Sequence, residues 1–115
     1  MIRIVNKHWH KPTPNDVYIG RGSPFGNPYS HMDNTKAEHK VSTREEAIAK
    51  YREWFEHARL NEPVLAAMLN EMKRAHLEGH DLNLVCYCAP ARCHGEVIKE
   101  YLEEYEKAYK EHQSI

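Results

Sequence analysis

A chain of 115 residues with 41% hydrophobic and 29% charged residues is the size and composition of one globular domain with one ordinary core. A formal net charge of −1 gives it no overall electrostatic footprint for nucleic acid, and no apolar run is long enough to span a bilayer. The opening Met1-Ile2-Arg3-Ile4-Val5 is interrupted too soon by Asn6-Lys7-His8 for a signal peptide, so the expectation is a cytoplasmic protein, residues 1–115 forming a single α/β domain.

Ile2, Ile4 and Val5 suggest a short first strand, after which Pro12 and Pro14 keep the chain extended or turning. Between them Lys7-His8-Trp9-His10-Lys11 is basic with an interleaved aromatic, either a solvated connector or an arm able to stack a base beside a phosphate. A second strand is expected over residues 16–20. From Gly20 to Asn34 turn formers dominate, so this reads as one long irregular segment, with Phe25 as its anchor in the core.

Ser42-Thr43-Arg44-Glu45 has the pattern of a capping box, with Ser42 as the cap, and predicts a helix from there. Ala47, Ile48, Tyr51, Trp54, Phe55 and Ala58 then fall on one face, and Asn61 ends the run. Pro63 suits the first turn of a second helix with Val64, Leu65, Met68, Leu69, Met72 and Leu77 as its apolar stripe and Gly79 as a left-handed stop. Residues 82–88, Leu-Asn-Leu-Val-Cys-Tyr-Cys, read as a central strand. A last helix carries Val97, Ile98, Tyr101, Leu102, Tyr105 and Tyr109 inward and fades into a polar tail at about 107–115. Helical connections between strands predict a small Rossmann-like α/β sandwich, a short, mostly parallel sheet flanked by helices.

Two segments carry candidate chemistry. The first is the junction of the central strand with the last helix. Cys93 and His94 would sit in or just before a helical first turn, whose dipole, with Arg92 adjacent, favours a thiolate. Cys93 and His94 are therefore the candidate catalytic pair, against the plainer reading of Cys93 as a small buried hydrophobe. Cys86, Cys88, Cys93 and His94 also supply the ligand types of a structural zinc site. Strand alternation opposes that reading: Cys86 shares a face with Leu82 and Leu84 and points into an apolar layer, leaving Cys88 to reach the strand end. No metal or cofactor is therefore expected, and a zinc-stabilised interaction or nucleic-acid module without catalysis is the alternative.

The second segment is Gly20-Arg21-Gly22-Ser23-Pro24-Phe25-Gly26-Asn27-Pro28. It is neither a Walker loop nor the dinucleotide fingerprint, yet its glycines let backbone N–H groups approach a ligand, Arg21 can grip a phosphate, and Ser23 and Asn27 offer hydrogen bonds. If the second and third strands are parallel neighbours, both loops emerge at one sheet edge. Arg21, Gly22, Ser23, Asn27 and Cys88 are then the candidate ligand-binding residues, and the expected partner is a small anionic molecule, a nucleotide or nucleoside derivative, with neither membrane nor nucleic acid. The histidines at 8, 10, 31, 39, 57, 76, 80 and 112 show no metal-ligand spacing, and most are expected in solvent.

Residues 17–28, Arg44-Glu45-Glu46-Ala47 through Tyr51 to Phe55, and Leu84-Val85-Cys86-Tyr87-Cys88-Ala89-Pro90 to Cys93-His94-Gly95 resemble the family known as domain of unknown function 4326, over nearly the whole domain. The resemblance implies a fold and a site, and a bacteriophage accessory protein at work in the host cytoplasm. It implies no activity. The Cys-Pro loop and Cys-His helix start also resemble a second group whose motif ends in Cys-His-Arg; Gly95 stands in place of that arginine, so its role does not carry over.

Overall fold

The computed structural model describes residues 1–30 and 39–113. The chain runs β1 (Ile2–Asn6), β2 (Asp16–Tyr18), β3 (Tyr29–Ser30), β4 (His39–Lys40), α1 (Arg44–Asn61), α2 (Pro63–Leu77), β5 (Leu82–Cys86) and α3 (Gly95–Gln113). The main sheet has the order β1-β5-β2, parallel throughout, with Ile2 opposite Leu82 and Val17 opposite Leu84. Every residue of β5 is buried, as a central strand with a continuous apolar run requires. Backbone bonds from Lys7 N–H to the Cys86 carbonyl (2.8 Å) and from Ile19 N–H to the Val85 carbonyl (2.9 Å) extend the ladder past both outer strands. The result is a small Rossmann-like α/β sandwich, as the element order predicted. A separate two-stranded parallel pair, β3 with β4, was not legible in the sequence. The turn-rich stretch expected to reach Asn34 leaves the described residues after Ser30, as does His31; the side chain of His39 also lies outside them.

The three helices pack on one another and on the sheet face that carries Ile2, Leu82, Leu84 and Cys86. Tyr51, Phe55 and Phe25 are fully buried there, and the Tyr51 hydroxyl donates to the Phe25 carbonyl at 2.8 Å, which fixes the loop after β2 to α1. On the opposite face Asn83 donates to Thr13 Oγ1 (3.3 Å) and Asp16 Oδ1 (3.1 Å) in the connection between β1 and β2.

Two sequence expectations need correction. The cap of α1 is Thr43, one residue later than Ser42: Thr43 Oγ1 accepts from Glu46 N–H at 3.0 Å, and Glu46 reaches back to Ser42 N–H at 3.2 Å. Val64 is exposed because the first turn of α2 turns its neighbour Leu65 into the core instead, and Tyr105 and Tyr109 are exposed because the distal half of α3 passes beyond the core. His76 is buried on α2, with Glu106 Oε1 3.3 Å from its Nε2, whereas His8, His57, His80 and His112 are exposed. Gly79 takes φ +92° and ends α2 as expected, with His80 N–H bonded to the Ala75 carbonyl and Gly79 N–H to that of His76.

Candidate functional site

Because β2 and β5 are parallel neighbours, the loops after them open at the same sheet edge, and α3 begins there as well. A cavity of about 310 Å³ lies between these loops and the start of α1. Cys86, Cys93 and His94 form its buried base. Arg21, Arg44 and Arg92 line it too, together with Tyr18, Tyr29 and Tyr87. No carboxylate is among the described lining residues.

The loop after β5 is held from below by Asn6, the last residue of β1. Its side-chain amide donates to the carbonyls of Tyr87 (3.2 Å) and Ala89 (2.7 Å), while its oxygen accepts from His8 N–H at 2.9 Å. Gly95 is buried at the start of α3, where a Cβ would come within 2.9 Å of Ile19 Cδ1 and 3.3 Å of Cys93 Sγ. A glycine at this position lets the helix start close against the sheet. Gly20 has the same function under the Tyr18 ring, whose atoms would lie 2.3–2.7 Å from a Cβ there.

Five of the seven residues singled out in the sequence line this cavity: Arg21, Asn27, Cys88, Cys93 and His94. Gly22 and Ser23 stand off it. Gly22 is exposed with φ +96°, and the Ser23 hydroxyl donates to the Gly20 carbonyl at 2.6 Å, so this pair shapes the turn instead of offering donors to a ligand. Asn27 is buried with its amide committed: Oδ1 accepts from Tyr29 N–H (2.9 Å) and Nδ2 donates to the Ala47 carbonyl (3.3 Å). It is an architectural residue of the cavity wall.

The buried pair at the helix start differs in character from the nucleophile the sequence suggests. His94 Nε2 lies 2.6 Å from the Ile19 carbonyl, which can only accept, so the ring carries its proton on Nε2. Burial against Tyr51, 4.8 Å between ring centroids, pushes its pKa down and keeps the imidazole neutral. Cys93 Sγ lies 3.6 Å from Cys86 Sγ and receives the Gly95 N–H at 3.3 Å. Its neighbours Cys86 and Cys88 and its burial all push the Cys93 thiol up. Cys88 behaves oppositely: the S–H groups of Cys86 and Cys93 favour its charged form, as does Arg44, and together they outweigh its partial burial and push its pKa far down. Between Cys88 and Cys93, the first proton to leave is that of Cys88.

Arg44 is the main feature that the sequence reading missed, since its position at the start of α1 marks it only as a helix residue. One of its N–H groups donates to the Arg92 carbonyl at 2.9 Å. One Arg21 N–H points to the Tyr29 carbonyl at 3.4 Å. Neither guanidinium forms a salt bridge with a carboxylate among the described residues, whereas Arg92 is gripped in bidentate fashion by Glu96 at 3.0 and 3.2 Å. The basic arm lies along the aromatic edge of the cavity: Lys7 Nζ sits 4.9 Å above the Tyr18 ring, His8 packs on Tyr87 at 5.0 Å, and Tyr18 meets Tyr87 edge-on at 6.2 Å. Trp9 is 76% exposed. Among the described residues no group of three or more His, Cys, Asp or Glu side chains is arranged to hold a metal ion, and no helix is long and apolar enough to cross a membrane.

A family model described as a domain of unknown function (DUF4326) matches residues 2–104 of the chain. No curated protein and no solved structure matches it.

Proposed function

The chain belongs to the DUF4326 family, whose description names no activity, and from the geometry of its cleft we propose that it binds, and acts on, a small phosphorylated ligand of the nucleotide or nucleoside type. The observation that carries this reading is the pair of guanidiniums, Arg21 and Arg44, lining a cavity at the carboxyl ends of two parallel strands, with no carboxylate among the described residues of its wall. Cationic groups with free donors at such a strand edge favour phosphate, and the α3 N-terminus beside them adds its dipole. Tyr18 and Tyr87 give the opening two aromatic faces suited to a base, and the volume is that of a small-molecule site. Cys88 is the reactive group this cavity offers a bound molecule. The reading includes a bacteriophage accessory role in the reducing host cytoplasm, where the three cysteines, all free here, keep their thiols.

Thermal shift with nucleoside mono- and diphosphates, the parent nucleosides and inorganic phosphate tests it. Wild-type protein should be stabilised by the phosphorylated compounds and not by the nucleosides, and Arg44→Gln or Arg21→Ala should each weaken binding by roughly tenfold or more. Absence of any shift with the wild type, or equal shifts in both variants, overturns the reading.

A further inference from the structure

Three sulfurs meet at the base of the cleft, and they are not equivalent. Cys86 Sγ and Cys93 Sγ touch at 3.6 Å inside the core, while Cys88 is half-buried, lines the opening and has Arg44 beside it. A solvent-reachable thiol next to a guanidinium, backed by a buried second thiol, is the arrangement that a two-electron oxidation to a disulfide requires. We propose that Cys88 is a site of modification by hydroperoxides, with Cys93 as the thiol that resolves the oxidised form. This inference is independent of the phosphorylated-ligand reading.

In the first step the Cys88 thiolate attacks the terminal oxygen of a hydroperoxide, ROOH. The S–O bond forms, the O–O bond breaks, and the alkoxide leaves beside Arg44 and takes a proton from water. Cys88 becomes a sulfenic acid, oxidised by two electrons, and the hydroperoxide is reduced to ROH. In the second step Cys93 gives up its proton and attacks the Cys88 sulfur. The S–S bond forms, the S–O bond breaks, and hydroxide departs with that proton as water. The Gly95 N–H, 3.3 Å from Cys93 Sγ, stabilises the thiolate that forms on Cys93 during the attack. Overall two thiols and one hydroperoxide give a disulfide, an alcohol and water. Cys86 remains reduced: it is the last residue of β5, 1% exposed, and a link to Cys88 across Tyr87 alone would close a strained Cys-x-Cys ring.

The experiment uses the full chain and hydrogen peroxide. Native Cys88 should be alkylated by iodoacetamide at about pH 6 at least roughly tenfold faster than in the urea-unfolded chain, and Arg44→Gln should reduce that advantage. After stoichiometric peroxide, trypsin cleavage following Arg92 should release the Cys93 peptide disulfide-linked to the peptide that holds Cys86 and Cys88. In Cys93→Ser the product should be a 1,3-dione adduct on Cys88 alone. Native alkylation no faster than unfolded overturns the proposal, as does a Cys86–Cys93 link that survives in Cys88→Ser. Stoichiometric zinc that leaves the purified protein only on unfolding also overturns it.

Discussion

Asp16 shows how much one side chain at the start of β2 can organise. Its Oδ1 accepts from Thr13 Oγ1 (2.8 Å), His10 Nε2 (2.9 Å) and Asn83 Nδ2 (3.1 Å), and its Oδ2 from Thr13 N–H (3.0 Å), so β2, β5 and the β1–β2 connection meet on one carboxylate. Partial burial pushes its pKa up, but these donors outweigh it and hold the group at about 2. The folded value lies below the unfolded one, so the stability Asp16 lends is complete above about pH 4 and lost as pH falls toward 2. Asp16→Ala should cost about 1–2 kcal/mol at neutral pH, and urea titrations of variant and wild type should draw together below about pH 4 and converge only near about pH 2. At this scale the sequence was informative about residue type and silent about commitment. Arg21, Cys93 and His94 were recognisable from their neighbours along the chain. That Asn27 has no free amide, and that Arg44 faces Cys88, depends on carbonyls and loops distant in sequence, at Ala47 and Arg92.

Helices were the most legible elements, because α1 repeats Ala47, Ile48, Tyr51, Phe55 and Ala58 at helical spacing and the core buries all five. The same periodicity misassigned Val64, Tyr105 and Tyr109, since an apolar stripe reports what a helix offers and not whether a partner reaches it. The pair β3 and β4 was invisible for a related reason: two residues per strand carry no alternation to read. The end of α2 was read from Gly79 alone, and its φ of +92° makes the substitution informative. Nothing lies within 4 Å of a Cβ built there, so Gly79→Ala tests backbone conformation without a clash. It should lower stability by about 1 kcal/mol in urea unfolding and leave ligand-induced thermal shifts unchanged.

For the whole molecule the core is centred on β5 and ends, along α3, at Leu102. Beyond it Lys73 lies over the Tyr105 ring at 4.6 Å and Glu106 sits beside His76, after which α3 exposes every residue from 107 to 113. A chain stopped after Glu106 should therefore melt within about 2 °C of the full chain, while Leu102→Ala should cost about 2–4 kcal/mol, both readable by thermal and urea unfolding. Residues 107–113, expected as a polar tail, continue α3 as an exposed helix.

The pairing of β1 with β5 also sets an order of events during synthesis. Ile2 meets Leu82 and Asn6 meets Cys86, so β1 leaves a ribosome about 80 residues ahead of its neighbour, whereas the α1–α2 hairpin closes through local contacts. Asn6, made early, takes hold of the Tyr87 and Ala89 carbonyls only once β5 has been translated. A nascent chain halted before β5 therefore displays Arg21 and Arg44 without Cys86, Cys88, Cys93 and His94, the base and rim of the cavity that these two arginines line.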